Sequence, residues 1–194
     1  MKNKLIIAGT GGQGVVFLTE ILCEAAVQSG INVATGEIHG LSQRGGSVMA
    51  GVTFGNNTFG AVEEGGADFL LGLERLEAQR CVNYLNAGSI AVLDKIKIIP
   101  HSVNSGTMLY PDTLAFVNAL RKMIRKVIYI EEDFPGVPPV MRNIAVLAMA
   151  AKEPGFPLSL KHIRKAIAAL AKDERKNETL SLFNRLVLSA QPTY

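Results

Sequence analysis

Residues 5–22 read LIIAGTGGQGVVFLTEIL, with the four glycines Gly9, Gly11, Gly12 and Gly14 crowded into one short turn. Leu5-Ile6-Ile7-Ala8 is an uncharged aliphatic run of the kind expected of a strand covered on both faces. Beyond Gly14 the apolar side chains of Val15, Leu18, Leu22 and Ala25 recur at helical spacing, so a helix follows. Gly9-x-Gly11-x-x-Gly14 therefore stands between a strand and a helix, where a dinucleotide fingerprint must stand. Two readings are open at this point. The glycines let a phosphate approach the backbone and the helix start, whose unpaired N–H groups attract an anion. Alternatively, they only let a helix pack close to a sheet. Gln13 divides the same way, between offering its amide to a ligand and stapling its own loop.

The rest of the chain extends this strand–helix alternation. Ile31–Thr35 reads as a second strand, followed by a glycine-rich loop GEIHGLSQRGGS from Gly36 to Ser47. Val48–Phe54 and Phe69–Leu73 are strand-like, and Glu74–Leu85 should be helical. Ser89–Asp94 and Lys97–Ile99 read as strands joined by a tight turn, and Val127–Ile130 as another strand. Asp112 is placed to cap a helix, prolines introduce an apolar helix near 140–152, Ser159 starts the next, and Asn177 the last. The sequence thus predicts an α/β fold, a Rossmann-like, mainly parallel sheet flanked by helices, with a helical C-terminal third. The chain has 194 residues, 48% hydrophobic and 19% charged, which suits one domain spanning 1–194.

Composition excludes several function classes. The net charge is +3 with both signs scattered, and the densest basic run, Arg121–Lys126, alternates with apolar positions as a solvated helix face would. No nucleic-acid partner is expected. Ile144–Ala151 is apolar all round but too short to cross a bilayer, so it reads as a buried helix with no membrane partner. The apolar run of the N-terminus passes directly into the glycine turn without a cleavage site, which points to a cytoplasmic protein. Cys23 and Cys81 stand far apart with no CxxC, and His39, His101 and His162 lack metal-ligand spacing. No metal, cluster or disulfide is expected on this chain, and both cysteines read as buried small hydrophobes.

In a doubly wound sheet, ligands bind beyond the carboxyl ends of the strands where strand order reverses. The turn Gly9–Gly14 and the loop Gln43-Arg44-Gly45-Gly46 are both expected on that edge. Arg44 offers a fixed fork of donors suited to a phosphate or carboxylate. Glu37 stands near the place of a ribose-binding acid, yet glycine and loop residues surround it, and His39 has no legible catalytic companion. Glu63 and Glu64 are adjacent and should face opposite ways, so they do not read as a catalytic pair. No catalytic residue is assigned.

GTGGQG (Gly9–Gly14) followed by GEIHGLSQRGGSV (Gly36–Val48) closely resembles the gamma subunit or domain of 2-oxoacid:ferredoxin oxidoreductases. ADFLLGLE (Ala67–Glu74) and the pair Arg142-Asn143 before the buried helix extend the resemblance over essentially the whole chain, and the IHGLSQRGG wording is most similar to members acting on indolepyruvate. The resemblance implies a subunit, inactive alone, of an enzyme that decarboxylates an aryl 2-oxoacid on thiamine diphosphate, passes the acyl group to coenzyme A and sends electrons to ferredoxin. It implies that a larger partner subunit carries thiamine diphosphate, magnesium and the 4Fe-4S clusters and meets ferredoxin. For this chain it implies part of a coenzyme A site at Gly9, Gly11, Gly12, Gln13, Gly14, Gln43, Arg44, Gly45 and Gly46, and a partner-facing surface with Ile38, Leu41, Phe59 and Val62. The competing expectations are a stand-alone NAD(P)- or flavin-binding Rossmann oxidoreductase and a non-catalytic scaffold subunit.

Overall fold

In the computed structural model, β1 (Asn3–Thr10) runs through the middle of a six-stranded sheet of order β2-β3-β1-β4-β5-β6. The structure describes residues 3–39, 46–56, 58–107, 109–131, 133 and 137–189. The other strands are β2 (Val33–His39), β3 (Ser47–Phe54), β4 (Ala67–Gly72), β5 (Leu85–Asp94) and β6 (Lys126–Ile130). β1, β4, β5 and β6 pair in parallel, whereas β3 lies antiparallel to both β1 and β2. Only β3 therefore runs against the rest, and the sheet is mainly parallel, as the sequence predicts.

Alternation along β1 sorts the core into two layers. Leu5 and Ile7 face a large cluster built with α1 (Val15–Gln28), α5 (Arg142–Ala151), α6 (Leu160–Leu170) and α7 (Asp173–Leu188). Ile6 and Ala8 face a smaller one built with α2 (Arg75–Arg80) and α4 (Thr113–Met123). A single-turn helix, α3 (His101–Asn104), precedes α4. Both faces of β1 are therefore dry, which is why its sequence is a continuous aliphatic run. Every residue of α5 is buried, in keeping with its apolar composition. Its helical neighbours and the sheet enclose it, so the C-terminal third of the chain is the lid of one face.

Several local expectations are corrected. The second strand continues to His39, so Gly36–His39, expected in the glycine loop, is strand. Lys97–Ile99 forms no strand: β5 already has β4 on one side and β6 on the other, leaving no free edge. Its backbone serves α2 instead, with Arg75 N–H donating to Ile96 O and Ile98 N–H to the Glu74 carboxylate. The helix expected over 74–85 ends at Arg80 and passes into a 3-10 turn at Val82–Tyr84. The last helix begins at Asp173, not Asn177, because its first turn is polar and carries no apolar periodicity to read. Asp112 and Ser159 cap α4 and α6 as expected, accepting from Leu114 and Ala115 N–H and from His162 N–H respectively.

Gly36 and Gly51 sit opposite each other in β2 and β3 and have a packing reason for lacking a side chain. A Cβ at either would stand 2.9 Å from Gly60 O, because the chain around Gly60 passes directly against these two strands. Gly60 itself has φ +71 and donates its N–H to Thr53 Oγ1. Gly51→Ala should therefore destabilise the chain by about 1–3 kcal/mol, the usual cost of overpacking a tight site. Urea unfolding measures it, and a change below about 0.5 kcal/mol would mean the crossing segment does not press on the sheet.

Candidate functional site at the carboxyl edge of the sheet

The turn after β1 lies at the switch point, between β1's neighbour on one side and β4 on the other. Gln13 closes it. Its Oε1 accepts from Thr10 N–H at 2.8 Å and from Thr10 Oγ1 at 3.1 Å, while its Nε2 donates to Leu73 O at 2.9 Å, just beyond β4. The side-chain amide thus staples the turn and ties β1 to β4 across the crevice.

The glycines divide the work. A Cβ on Gly9 would meet Gln13 Oε1 at 3.0 Å and Leu73 and Val15 at 3.2 Å, so this position makes room for the staple. Gly14, with φ +80, is the N-cap of α1, and a Cβ there would lie 2.3 Å from Asn143 Nδ2. Gly12, with φ +95, has nothing within 4 Å of its missing Cβ and is the open face of the turn. Gly11 N–H donates to Gly46 O at 2.9 Å, so the two glycine motifs, remote in sequence, meet on this edge. Gln43, Arg44 and Gly45 lie outside the described residues, as does Leu41. Glu37, Ile38 and His39 fall on β2, and their side chains are likewise outside the description. Phe59 is exposed, and Val62 is partly buried, packed against the smaller core cluster.

Two buried polar clusters flank the turn. Arg142, at the start of α5, donates from Nε to Asp94 Oδ2 at 2.8 Å at the end of β5 and from Nη1 to Asp133 at 2.7 Å. The Asp94 carboxylate raises the Arg142 guanidinium's pKa further, and Lys95, ahead of Arg142, holds the Asp133 carboxyl below its ordinary range. Asn143, the next residue, accepts the Ile144 N–H at 2.8 Å through Oδ1, which leaves Nδ2 facing Gly14. On the other side Glu74 is buried and takes Tyr110 Oη–H at 2.6 Å together with the Glu77 and Ile98 N–H groups. Burial first, and then this bond, push the Tyr110 hydroxyl's pKa upward. Asp94, Glu74 and Tyr110 carried no sequence signal, whereas the polar pair Arg142-Asn143 at the head of an apolar helix was legible.

The remaining candidates resolve into structure. Glu63 pairs with Lys4, and Glu64 accepts from Asn83 Nδ2, so the two carboxylates go separate ways. Cys81 is buried beside Met49 Sδ, and desolvation pushes its thiol up to about 12. Cys23 is half-buried in α1, against the larger cluster's face, while Cys81 belongs to the smaller one. The two thiols therefore stand on opposite faces of the sheet. Among the described residues, no helix is long and apolar enough to cross a membrane.

Beside the turn opens a cleft of about 630 Å³, bordered by Gly12, Gly14, Asn143, Lys172 and Arg175. Residues 4–181 match the family described as pyruvate ferredoxin/flavodoxin oxidoreductase. The chain belongs to this family. It is 35% identical over 179 residues to an indolepyruvate oxidoreductase subunit IorB of Archaeoglobus fulgidus, covering 90% of this chain and 88% of that protein. Its fold is similar to the keto/oxoacid ferredoxin oxidoreductase gamma subunit of Geobacter sulfurreducens, with TM-score 0.65 at 19% identity over 97% of this chain and 99% of that one. It is also similar to a 2-oxoglutarate:ferredoxin oxidoreductase of Magnetococcus marinus, solved with 2-oxoglutarate, coenzyme A and succinyl-CoA bound. There the TM-score is 0.61 at 16% identity, over 98% of this chain and 32% of that one.

Two outcomes follow from this geometry. Gly14→Ala should cost more stability than Gly12→Ala, because both oppose a positive φ but only Gly14 also drives a methyl into Asn143. Paired thermal melts test this, and equal losses would contradict the close approach. Arg142→Ala should cost about 3–5 kcal/mol, because it leaves the buried Asp94 carboxylate unpaired. A loss under about 1 kcal/mol in urea unfolding would mean solvent reaches Asp94.

Proposed function

We propose that this chain is the small subunit of an indolepyruvate:ferredoxin oxidoreductase. In this reading the enzyme decarboxylates an aryl 2-oxoacid oxidatively. Carbon dioxide leaves, two electrons pass to ferredoxin, and the acyl group ends on the coenzyme A sulfur. The relative of 35% identity over most of both chains carries the choice of substrate class.

The division of labour rests on this chain's own side chains. A 4Fe-4S cluster takes four thiolates, and the two cysteines here lie on opposite sheet faces. The residues present do not fit a cluster, which supports the reading that a larger subunit carries the clusters; thiamine diphosphate and magnesium are proposed to sit on that subunit as well. That subunit would also meet ferredoxin. This chain contributes the carboxyl-edge surface where Gly11 meets Gly46. Gly12, the open face of the turn, with Gln43, Arg44 and Gly45 of the second motif, supplies the residues proposed to approach coenzyme A.

A stand-alone dinucleotide enzyme is the poorer reading. Gly9 and Gly14 are already occupied against protein, and the Gln13 amide spans the crevice a pyrophosphate would use. The location is proposed to be the cytoplasm.

The test is affinity capture of the tagged chain from its native host, followed by assay with indolepyruvate, coenzyme A and ferredoxin. The captured pair should be brown and active, while the chain purified alone should be colourless and inactive. Turnover by the chain alone, or capture without any iron-bearing partner, would overturn the subunit reading.

A further inference from the structure

The chain between β5 and α4 is strapped against the start of α2 by two consecutive residues. Glu74 is buried, and its Oε1 accepts both Ile98 N–H at 3.0 Å and Tyr110 Oη–H at 2.6 Å. Arg75 holds the same strap at two further points. Its backbone N–H donates to Ile96 O at 3.1 Å and its Nη1 to Thr113 Oγ1 at 2.9 Å. Residues 96–99, 109–110 and 113–114 are thereby gathered around one point just beyond the carboxyl ends of β4 and β5. Leu73, whose carbonyl takes the Gln13 amide, is the residue before Glu74, so the strap adjoins the glycine turn.

The strap presents an apolar surface with spare positive charge. Ile98, Ile99, Leu109 and Leu114 are all exposed, Leu109 by 93%. Tyr110 stands among them, with Lys97 Nζ 4.2 Å from its ring centroid and the Arg75 guanidinium carbon 5.9 Å from it. Among the described residues neither cation has a carboxylate in an ion pair, and Arg75 Nε is buried without an acceptor. The nearby acids are engaged elsewhere. Glu74 takes the Ile98, Tyr110 and Glu77 donors, Glu77 pairs with Arg80, and Asp112 accepts the Leu114 and Ala115 N–H groups.

Tyrosine and arginine set among exposed aliphatic side chains are the composition of the energetic centre of a protein–protein contact. The charge narrows the occupant. A two-fold contact between copies of this chain would bring the same cations face to face, with the local acids already engaged. The complement of this patch is a carboxylate flanked by apolar side chains. Four aliphatic side chains are also too few to make a stable contact alone, which buries at least about 1,200 Å². Their place beside the glycine turn makes them one flank of a wider surface on the carboxyl edge.

We propose that the strap of residues 96–114 docks an acidic, apolar-flanked segment of the larger subunit, with Arg75 and Lys97 receiving its carboxylate and Leu109, Leu114, Ile98 and Ile99 its apolar side chains. The proposal rests on the small-subunit reading and adds to it a second seat for that partner, outside both glycine motifs.

The experiment is a competition for the native assembly. The larger subunit, tagged and recognised by its mass and iron content, is isolated from host cells that make the parent chain and one variant in equal amounts. Mass spectrometry reads the ratio of the two chains in the complex. L109D and K97E change exposed side chains, so each free variant should melt with the parent. In the complex each should be depleted about tenfold or more, because each sets a negative charge where a carboxylate or an apolar side chain has to dock. L188D, at an equally open leucine near the end of α7, should be recovered on a par with the parent. Parity for L109D and K97E would overturn the strap as a seat, while the subunit reading would stand. Depletion of L109D with K97E at parity would overturn the acidic partner chemistry. A dimer of the free chain in sedimentation that L109D dissolves would give the patch to a second copy and overturn the proposal. Isolation of the larger subunit without either chain would sink the subunit reading and the strap with it.

Discussion

The bond from Gln13 Nε2 to Leu73 O holds the functional edge in its shape. Parallel strands leave their carboxyl ends splayed where chain direction reverses, and that gap is the usual ligand crevice of a doubly wound sheet. Here a single side-chain amide fills it, accepting from Thr10 on one side and donating to the strand beyond on the other. Gly9 exists to admit it, since any Cβ there would press on the same amide oxygen. With the crevice closed, the open surface of the turn moves outward to Gly12 and sideways toward α5.

That sideways displacement explains why the start of α5 carries so much polar chemistry. An all-buried helix must begin somewhere dry, and Arg142 does so by spending its charge on Asp94 and Asp133. A buried pair of this kind adds little net stability but is costly to break, so it fixes where α5 starts. Asn143 is then carried to Gly14, and the amino ends of α1 and α5 come to face one cleft. Registration of the helix layer and construction of the site are the same event.

Much of this was legible because it follows from periodicity. The aliphatic run of β1, the helical spacing after Gly14 and the apolar α5 each specify their burial, and the Asp112 and Ser159 caps read directly from residue type. The errors have a common cause. Gly36 looked like loop chemistry, yet it is a strand residue which, like Gly51 opposite it, is thinned so that Gly60 can approach, a tertiary demand with no local signature. Lys97–Ile99 had strand composition, but β5, the strand its tight turn would have paired it with, already has β4 and β6 on its two sides. Glu74 and Tyr110 meet across a long sequence separation, and no spacing rule could pair them. Gln13 was readable only as an alternative, because whether an amide faces a ligand or its own loop depends on how near the next strand comes.

The staple is open to direct measurement by amide hydrogen exchange in the full chain and in Gln13→Ala. Thr10 N–H is held by the Gln13 side chain rather than by a neighbouring strand, so its protection reports the staple itself. Slow exchange at Thr10 in the parent should become fast in the variant, while Leu5–Ala8 in the middle of the sheet keep their protection. Unchanged slow exchange at Thr10 in Gln13→Ala would show that the turn holds its shape without the amide, and the account of a closed switch point would be wrong.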